Sequence, residues 1–542
     1  MGKAKEVKFF NDRYCGNLPE NICTCLDNII ELDKSMHQRI SEDSGCSDDL
    51  LGIADFRHSI RCMADSDVTN LIEDLEELGY EREAYEQGWG TLRSYQTTAV
   101  GFMLLAKRCI IGDSVGMGKT VEVAAAINEI NNFRVENGYE EARFLVLTQK
   151  NLASQFRREM VKFTGKFTTL ISSGEQKEID IFVNSNDYHY RPEYSVVGTH
   201  ALLSTPKFIQ WIEQARTMGA GFPFDILVID ESSFLGGRAK KSIDGYKAIS
   251  KYFDYIFFLN ATPFETNLQV FYNQLNLLDP TLLPTKTNFT KEYCIMNYTG
   301  MYPKPTGRYK NQGQFKHLIG YRYFARTRKD NGAEMINSDG GVRLSPLSKV
   351  QKEWLKKSQL HRVVFDCPTY LDSSIEFNAD NVPKLVSLRE LLNNECADAD
   401  SIIIFVYFKE AQRYLSEYLS NRGISNRVLN GDTDNTSRQT IIDGFKLGSY
   451  RVLITNVQRG LNFGSCNYCI FYSFDPNPSA MIQFEGRITR DFNIEDKHIY
   501  ILCSEGEEYK KLNEVVRLRA KATSEFTNTD LSVVMNVLLG ED

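Results

Sequence analysis

Residues Cys109 to Thr120 read as an apolar run, a glycine-rich turn and a closing Lys-Thr pair. Gly116 and Gly118 let the backbone curl towards an oxyanion with no Cβ in the way. Lys119 offers a point charge to β and γ phosphate oxygens, and the Thr120 hydroxyl is a candidate Mg²⁺ ligand. A strand ahead of the turn and a helix behind it would aim backbone N–H groups at a polyphosphate. The chain is therefore expected to bind a nucleotide, although Asp113 stands where the general phosphate-loop pattern has its first glycine.

Two further groupings suit nucleotide hydrolysis. Asp225 to Glu231 is an apolar run ending in two acids; Asp230 would hold Mg²⁺ through water, and Glu231 would orient or deprotonate the attacking water. In Gln483 to Arg490, Arg487 and Arg490 stand three apart on one face of an expected helix. They could neutralise charge that develops on a γ-phosphate.

The elements that must position these groups follow from periodicity. Five apolar runs (CIIG, FLVLT, SVVG, DILVID, YIFFL) alternate with helical patterns between Thr91 and Pro284, and four more (IIIFV, RVLIT, YCIFYS, HIYILC) follow Val382. Such alternation predicts an α/β chain of two doubly wound parallel-sheet lobes with loops gathered at the strand C-termini. The expected divisions are a mostly helical accessory domain at 1–88, lobe 1 at 89–284, an inserted segment at 285–380, lobe 2 at 381–510 and a helical tail at 511–542. Leu71, Ile72, Leu75 and Leu78 lie at helical spacing in the acidic stretch 65–86, which predicts an amphipathic helix with a solvated face.

Composition narrows the class. A chain of 542 residues with 42% hydrophobic and 25% charged residues reads as an ordinary multidomain globular protein. No stretch is long and apolar enough to span a bilayer, and the N-terminal residues do not form a secretory signal. An intracellular protein is expected, cytoplasmic, nucleoid-associated or nuclear, with no membrane partner. Twelve cysteines without knuckle spacing fit reduced thiols rather than zinc; the CxxC at Cys466 and Cys469 is expected to be strand packing. Net charge is −8, yet Tyr293 to Lys329 contains no acid. Lys304, Arg308, Lys310 and Lys316 there, interleaved with aromatic residues, form a candidate phosphate-binding surface.

Taken in order, Leu92-Arg93-Ser-Tyr-Gln96, Asp113–Thr120, Asp230-Glu-Ser-Ser, Asn260-Ala-Thr-Pro263, Thr455 with Gly460-Leu-Asn, and Gln483–Arg490 resemble the motifs of a superfamily-two helicase-type ATPase. The stretches Asn267–Pro280, Arg326–Asp330 and Asn430–Phe445 resemble its Swi/Snf-related branch of DNA translocases. Phe289–Cys294 and the compact insertion look most like the small annealing-helicase-like members.

The resemblance implies two RecA-like lobes and an ATPase using ATP and Mg²⁺. Its nucleotide site would comprise Arg93, Gln96, Gly112, Asp113, Ser114, Val115, Gly116, Met117, Gly118, Lys119, Thr120 and Gly460. Lys119, Asp230, Glu231, Arg487 and Arg490 would be catalytic, with Thr120 and Asp230 at the metal. Lys150, Thr199, Gly431, Thr433 and Thr455 match positions that touch a DNA backbone. The implied activity is ATP-driven translocation on duplex or branched DNA. An RNA helicase, and an ATPase that rides on RNA polymerase through a docking module at 1–88, are the alternatives. The family's usual DEAH box is DESS here, which leaves open how Asp230 and Glu231 connect to the Thr262 segment.

Overall fold

Parallel strands covered by helices on both faces are buried throughout, so they appear in sequence as unbroken apolar runs. In a computed structural model these runs build two sheets. The structure describes residues 92, 94–150, 152–166, 168–171, 195–217, 224–237, 239–264, 268–298, 303–326, 341–457, 466–475, 478–485 and 497–517. The expected N-terminal domain, its acidic helix, Arg93, Gly460, Arg487, Arg490 and the tail beyond 517 lie outside the described residues. The chain divides into two compact units, one around each sheet.

The first sheet contains β1 (Arg108–Ile111), β2 (Phe144–Thr148), β3 (Thr168–Ile171), β4 (Ser195–Thr199), β5 (Ile226–Asp230) and β6 (Tyr255–Leu259). A short hairpin, β7 (Cys294–Asn297) with β8 (Lys304–Tyr309), precedes β9 (Tyr323–Phe324). The order is β3-β4-β2-β5-β6-β1-β9, with every neighbour parallel. One face packs against the helices Ser94–Ala106, Lys119–Glu136 and Ala153–Thr164. Val123, Ala124, Ile127 and Ile130 of the middle helix are fully buried there. Each large apolar side chain so buried contributes about 1.5–3 kcal/mol.

The second sheet contains β10 (Gly341–Ser345), β11 (Ile402–Phe405), β12 (Asn426–Leu429), β13 (Val452–Thr455), β14 (Tyr468–Phe471) and β15 (His498–Ser504). Its order is β10-β15-β14-β11-β13-β12, again parallel. Two-residue alternation splits the strands between two cores. Ile403, Phe405, Leu453 and Phe471 feed one, while Ile402, Ile404, Val452 and Ile470 feed the other. Cys466 and Cys469 are buried free thiols, as strand packing requires.

A buried charge cluster fastens the edge of this second unit. Lys384 reaches Asp366 (2.9 Å) and Glu508 (2.8 Å), and Asp366 also accepts from Ser473 Oγ (2.7 Å). Burial alone would lower the Lys384 pKa, but the two carboxylates outweigh it and raise it.

Residues 285–380, expected as an insertion, contribute a strand to each sheet, β9 to the first and β10 to the second. Several aromatic residues of the acid-free window are core residues, although Tyr298 is exposed. Phe315 packs on Phe289 (5.7 Å), Tyr293 (5.2 Å) and Phe271 (6.0 Å), and Tyr323 lies 5.0 Å from Phe271. Arg322 is held by Asp279 at 3.0 Å. Burial would raise the Asp279 carboxyl, but the Arg322 guanidinium and Thr281 hold it below its ordinary value.

Candidate nucleotide site

Three adjacent strands bring the candidate groups together. Ile111 and Asp230 are both level with Leu259 of the β6 strand between them. The residues that follow (Gly112 onward, Glu231 onward, Asn260 onward) therefore leave one edge of the sheet at one height. Asn260 N donates to Ile111 O (3.0 Å) and Ser232 N to Leu259 O (3.3 Å), which ties the three exits to one another. This carboxyl edge is where doubly wound sheets bind ligands.

The glycine-rich turn has the geometry a phosphate loop needs. Gly116 and Gly118 take φ of 87° and 89°, a region open to glycine at little cost. Gly118 also caps the helix Lys119–Glu136, so the positive end of the helix dipole borders the loop. A Cβ on Gly118 would lie 2.5 Å from Gln96 Nε2, which places the expected adenine reader against the loop itself. Lys119 Nζ donates to the Asp113 carbonyl at 2.6 Å. Ser114, Val115, Gly116 and Thr120 are half-buried and Met117 is buried.

Two residues expected at the nucleotide are also packed into the foundation of the loop. Asp113 is fully buried, and its Oδ1 accepts from Arg326 N at 2.7 Å. A buried carboxylate would repel a phosphate, and here it anchors the chain after β9. Burial, and then Asp113 beside it, push the Glu122 carboxyl well above its ordinary value. Gly112 donates to Phe324 O (2.6 Å) and leaves the space that Tyr323 fills, since a Cβ there would come within 2.4 Å of the tyrosine ring.

The acid pair sits at the centre of the edge. Asp230 Oδ2 accepts from Thr148 Oγ1 at 2.8 Å. Burial, with Glu231 alongside, pushes the Asp230 carboxyl up to about 6, against the pull of Thr148 and Lys119. Glu231 is left-handed with φ 49°, a conformation costing a non-glycine residue on the order of 1–3 kcal/mol. His200 holds the peptide just before it, with Nε2 2.7 Å from Asp230 O. A carbonyl only accepts, so this nitrogen carries the proton. The imidazole is stacked on Phe234 at 4.1 Å. Thr148 and His200 carry no motif of their own, and only strand register brings them to Asp230.

The candidate nucleic-acid residues distribute over both units. On the first, Lys150 is exposed after β2. Thr199 is level with Thr148 but buried, and its Oγ1 has no hydrogen-bond partner in the structure. On the second, Thr455 is level with Phe405 and Leu429. It too is buried, and its Oγ1 accepts from Val457 N at 3.0 Å. The Thr455 hydroxyl is thus engaged at its strand end, whereas the Thr199 hydroxyl is buried without a partner. Gly431 is exposed, whereas the Thr433 hydroxyl accepts from Asn430 N at 3.1 Å. Arg308 and Lys310 are exposed and Lys316 is half-buried, while Lys304 opens β8 opposite Asn297. Among the described residues no helix is long and apolar enough to cross a membrane, and no His, Cys, Asp and Glu cluster could hold a metal ion by itself.

Known proteins resemble this chain over most of its length. Residues 13–397 match the SNF2-related domain, and residues 383–491 match the helicase conserved C-terminal domain. An uncharacterised ATP-dependent helicase of Bacillus subtilis, YqhH, is 24% identical over 482 residues, covering 79% of this chain and 78% of that protein. Chromodomain-helicase-DNA-binding protein 7 of Homo sapiens is 22% identical over 474 residues, covering 76% of this chain but only 15% of that protein. The Sulfolobus solfataricus SWI2/SNF2 ATPase core in complex with dsDNA is 17% identical with a TM-score of 0.36, covering 83% of this chain and 93% of that one. With the SNF2-related match alone spanning well over half of its length, the chain belongs to the SNF2-related family of helicase-like, ATP-hydrolysing proteins.

Proposed function

We propose that this protein is a DNA-dependent ATPase that translocates on duplex or branched DNA and remodels what it meets. The observation that carries the hydrolytic half is the convergence of the phosphate loop, Asp230-Glu231 and the Asn260–Pro263 segment on one sheet edge. Family membership, and a relative named for helicase action and DNA binding, support the nucleic-acid half.

In this reading Lys119 and the first-turn amides bind the β and γ phosphates, and Gln96 holds the base end. Glu231 orients the attacking water, and Arg487 and Arg490 supply positive charge to the transition state. The site suits Mg²⁺. Two adjacent carboxylates, one of them pushed up to about 6 by burial and its neighbour, would be relieved by a cation. Thr120 and Asp230 would hold it, and it would supply charge neutralisation between the β and γ oxygens. Exposed Arg308 and Lys310, with Lys304 and Lys316, would grip the DNA backbone, which positions a motor without reading sequence.

The test is ATP turnover measured side by side with duplex DNA, forked DNA, single-stranded DNA and RNA. Stimulation by duplex or forked DNA is expected. Stimulation by RNA alone would replace this reading with an RNA helicase. Neutralising Lys304, Arg308, Lys310 and Lys316 should also flatten the dependence of log affinity on log salt by roughly 0.7–0.9 per lost contact.

A further inference from the structure

The Asp-Glu-Ser-Ser box has a buried polar partner that no motif announces. Gln274, on the helix Leu268–Leu278, is fully buried. Its Oε1 accepts from Ser232 Oγ at 2.8 Å and from Asn260 Nδ2 at 3.0 Å, and its Nε2 donates to Pro263 O at 2.9 Å and Val270 O at 3.2 Å. Both lone pairs and both hydrogens of the amide are used. The amide cannot be turned over, because Oε1 would then face the carbonyl oxygens of Pro263 and Val270, and Nε2 the amide nitrogen of Asn260.

The positions of the partners give this hub a function. Ser232, itself fully buried, follows the left-handed Glu231. Asn260 and Pro263 flank Thr262, and Asn260 Oδ1 accepts from Thr262 N at 3.1 Å. A single side chain thus joins the turn bearing Glu231 to the segment leaving β6. A strained turn persists only while its surroundings over-determine it. Without an acceptor for Ser232, the turn loses a restraint.

We propose that Gln274 is a positioning residue for ATP hydrolysis, which fixes the Glu231 turn through Ser232 and locks it to the Asn260–Pro263 segment. The proposal rests on the reading of Glu231 as the residue that orients the attacking water. It assigns the connection between the two segments to Gln274, Ser232 and Asn260, side chains that a DEAH-type box does not announce.

Full-length Ser232→Ala, Gln274→Met and the double variant would be compared with wild type for kcat, KM for ATP and melting temperature. Ser232→Ala orphans no group, since Gln274 Oε1 keeps its bond from Asn260, so it tests the idea even if Gln274→Met fails to fold. We expect Ser232→Ala to lower kcat about 5–10-fold, with KM for ATP within about twofold and the melting temperature nearly unchanged, the pattern of an interaction that matters in the transition state. The double variant should be no slower than Gln274→Met, because both changes cut one connection. A Ser232→Ala kcat within about twofold of wild type, or a loss that tracks melting temperature alone, would overturn the proposal. Glu231→Gln in the same assay separates the two ideas. If it is inactive while Ser232→Ala is normal, the hub fails alone; if it is fully active, the underlying reading fails and the hub with it.

Discussion

Replacing Asp230 with Asn should abolish hydrolysis and, at the same time, stabilise the metal-free protein at pH 8. Burial and the adjacent Glu231 raise the Asp230 carboxyl from 3.8 to about 6. At about 1.4 kcal/mol per pKa unit, keeping this group ionised costs the folded state at most about 3 kcal/mol. The sign follows from linkage. A folded-state pKa above the unfolded value favours the fold while the group is protonated, and that advantage is lost as the pH rises through about 6. Asn never ionises, so it escapes the penalty. It can keep the hydroxyl of Thr148 as a donor to its oxygen, but the Glu231 N–H loses a carboxylate acceptor, at about 1 kcal/mol. The balance is a gain of about 1–2 kcal/mol at pH 8, a rise in melting temperature of roughly 3–6 °C for a unit of this size. Thermal unfolding in EDTA would read it. By pH 5 wild-type Asp230 is largely protonated and the gap should close. An Asn variant that melts at or below wild type at pH 8, or a gap that does not narrow by pH 5, would refute the electrostatic reasoning.

Lys119→Ala should abolish ATP turnover with little change in melting temperature, because the lost bond to Asp113 O lies in a half-buried loop; a folded variant with near-normal turnover would remove the phosphate-loop assignment. Gly118→Ala should weaken ATP binding and cost about 1 kcal/mol or more, since a side chain there adopts φ 89° and meets Gln96 Nε2 at 2.5 Å; isothermal titration and thermal melts would show both. Lys384→Met should destabilise the second unit by about 3–5 kcal/mol, because Asp366 and Glu508 would stay buried without their cation; denaturant titration measures this. His200→Phe keeps a ring to stack on Phe234 but loses the donor to Asp230 O. It should lower kcat roughly tenfold without raising KM for ATP, with partial recovery in His200→Gln.

The parts of this fold that were legible are the doubly buried strands. Runs such as Phe144–Thr148 and Tyr255–Leu259 are apolar at nearly every position because helices cover both faces. Strands β3, β9, β10 and β12 escaped because they are the edge strands of the two sheets, short and mixed in character, as in Thr168–Ile171 and the two-residue Tyr323–Phe324. In the site, the phosphate loop was legible because its groups are neighbours in sequence. Thr148, His200 and Gln274 were not, because only the register of β2, β4 and β5 and the packing of one helix bring them to the acid box. The packing of Asp113 and Gly112 against β9 was hidden for a related reason: local pattern shows that a residue borders a loop, but not which side of it faces the core.

The bracing of β1 by β9 has a consequence for biosynthesis. Asp113 and the residue that caps its carboxylate, Arg326, are 213 positions apart, an interval that a ribosome takes roughly 10–40 s to cover. For most of that interval β6 has not been made either, so the nascent strand ahead of the phosphate loop lacks both sheet neighbours, and its β9 edge stays open to wrong pairing to the end. Gly112 likewise has an unfilled hollow until Tyr323 emerges. The loop is translated early but acquires its complete foundation late, so the nascent chain can become competent for ATP only after synthesis has passed Arg326.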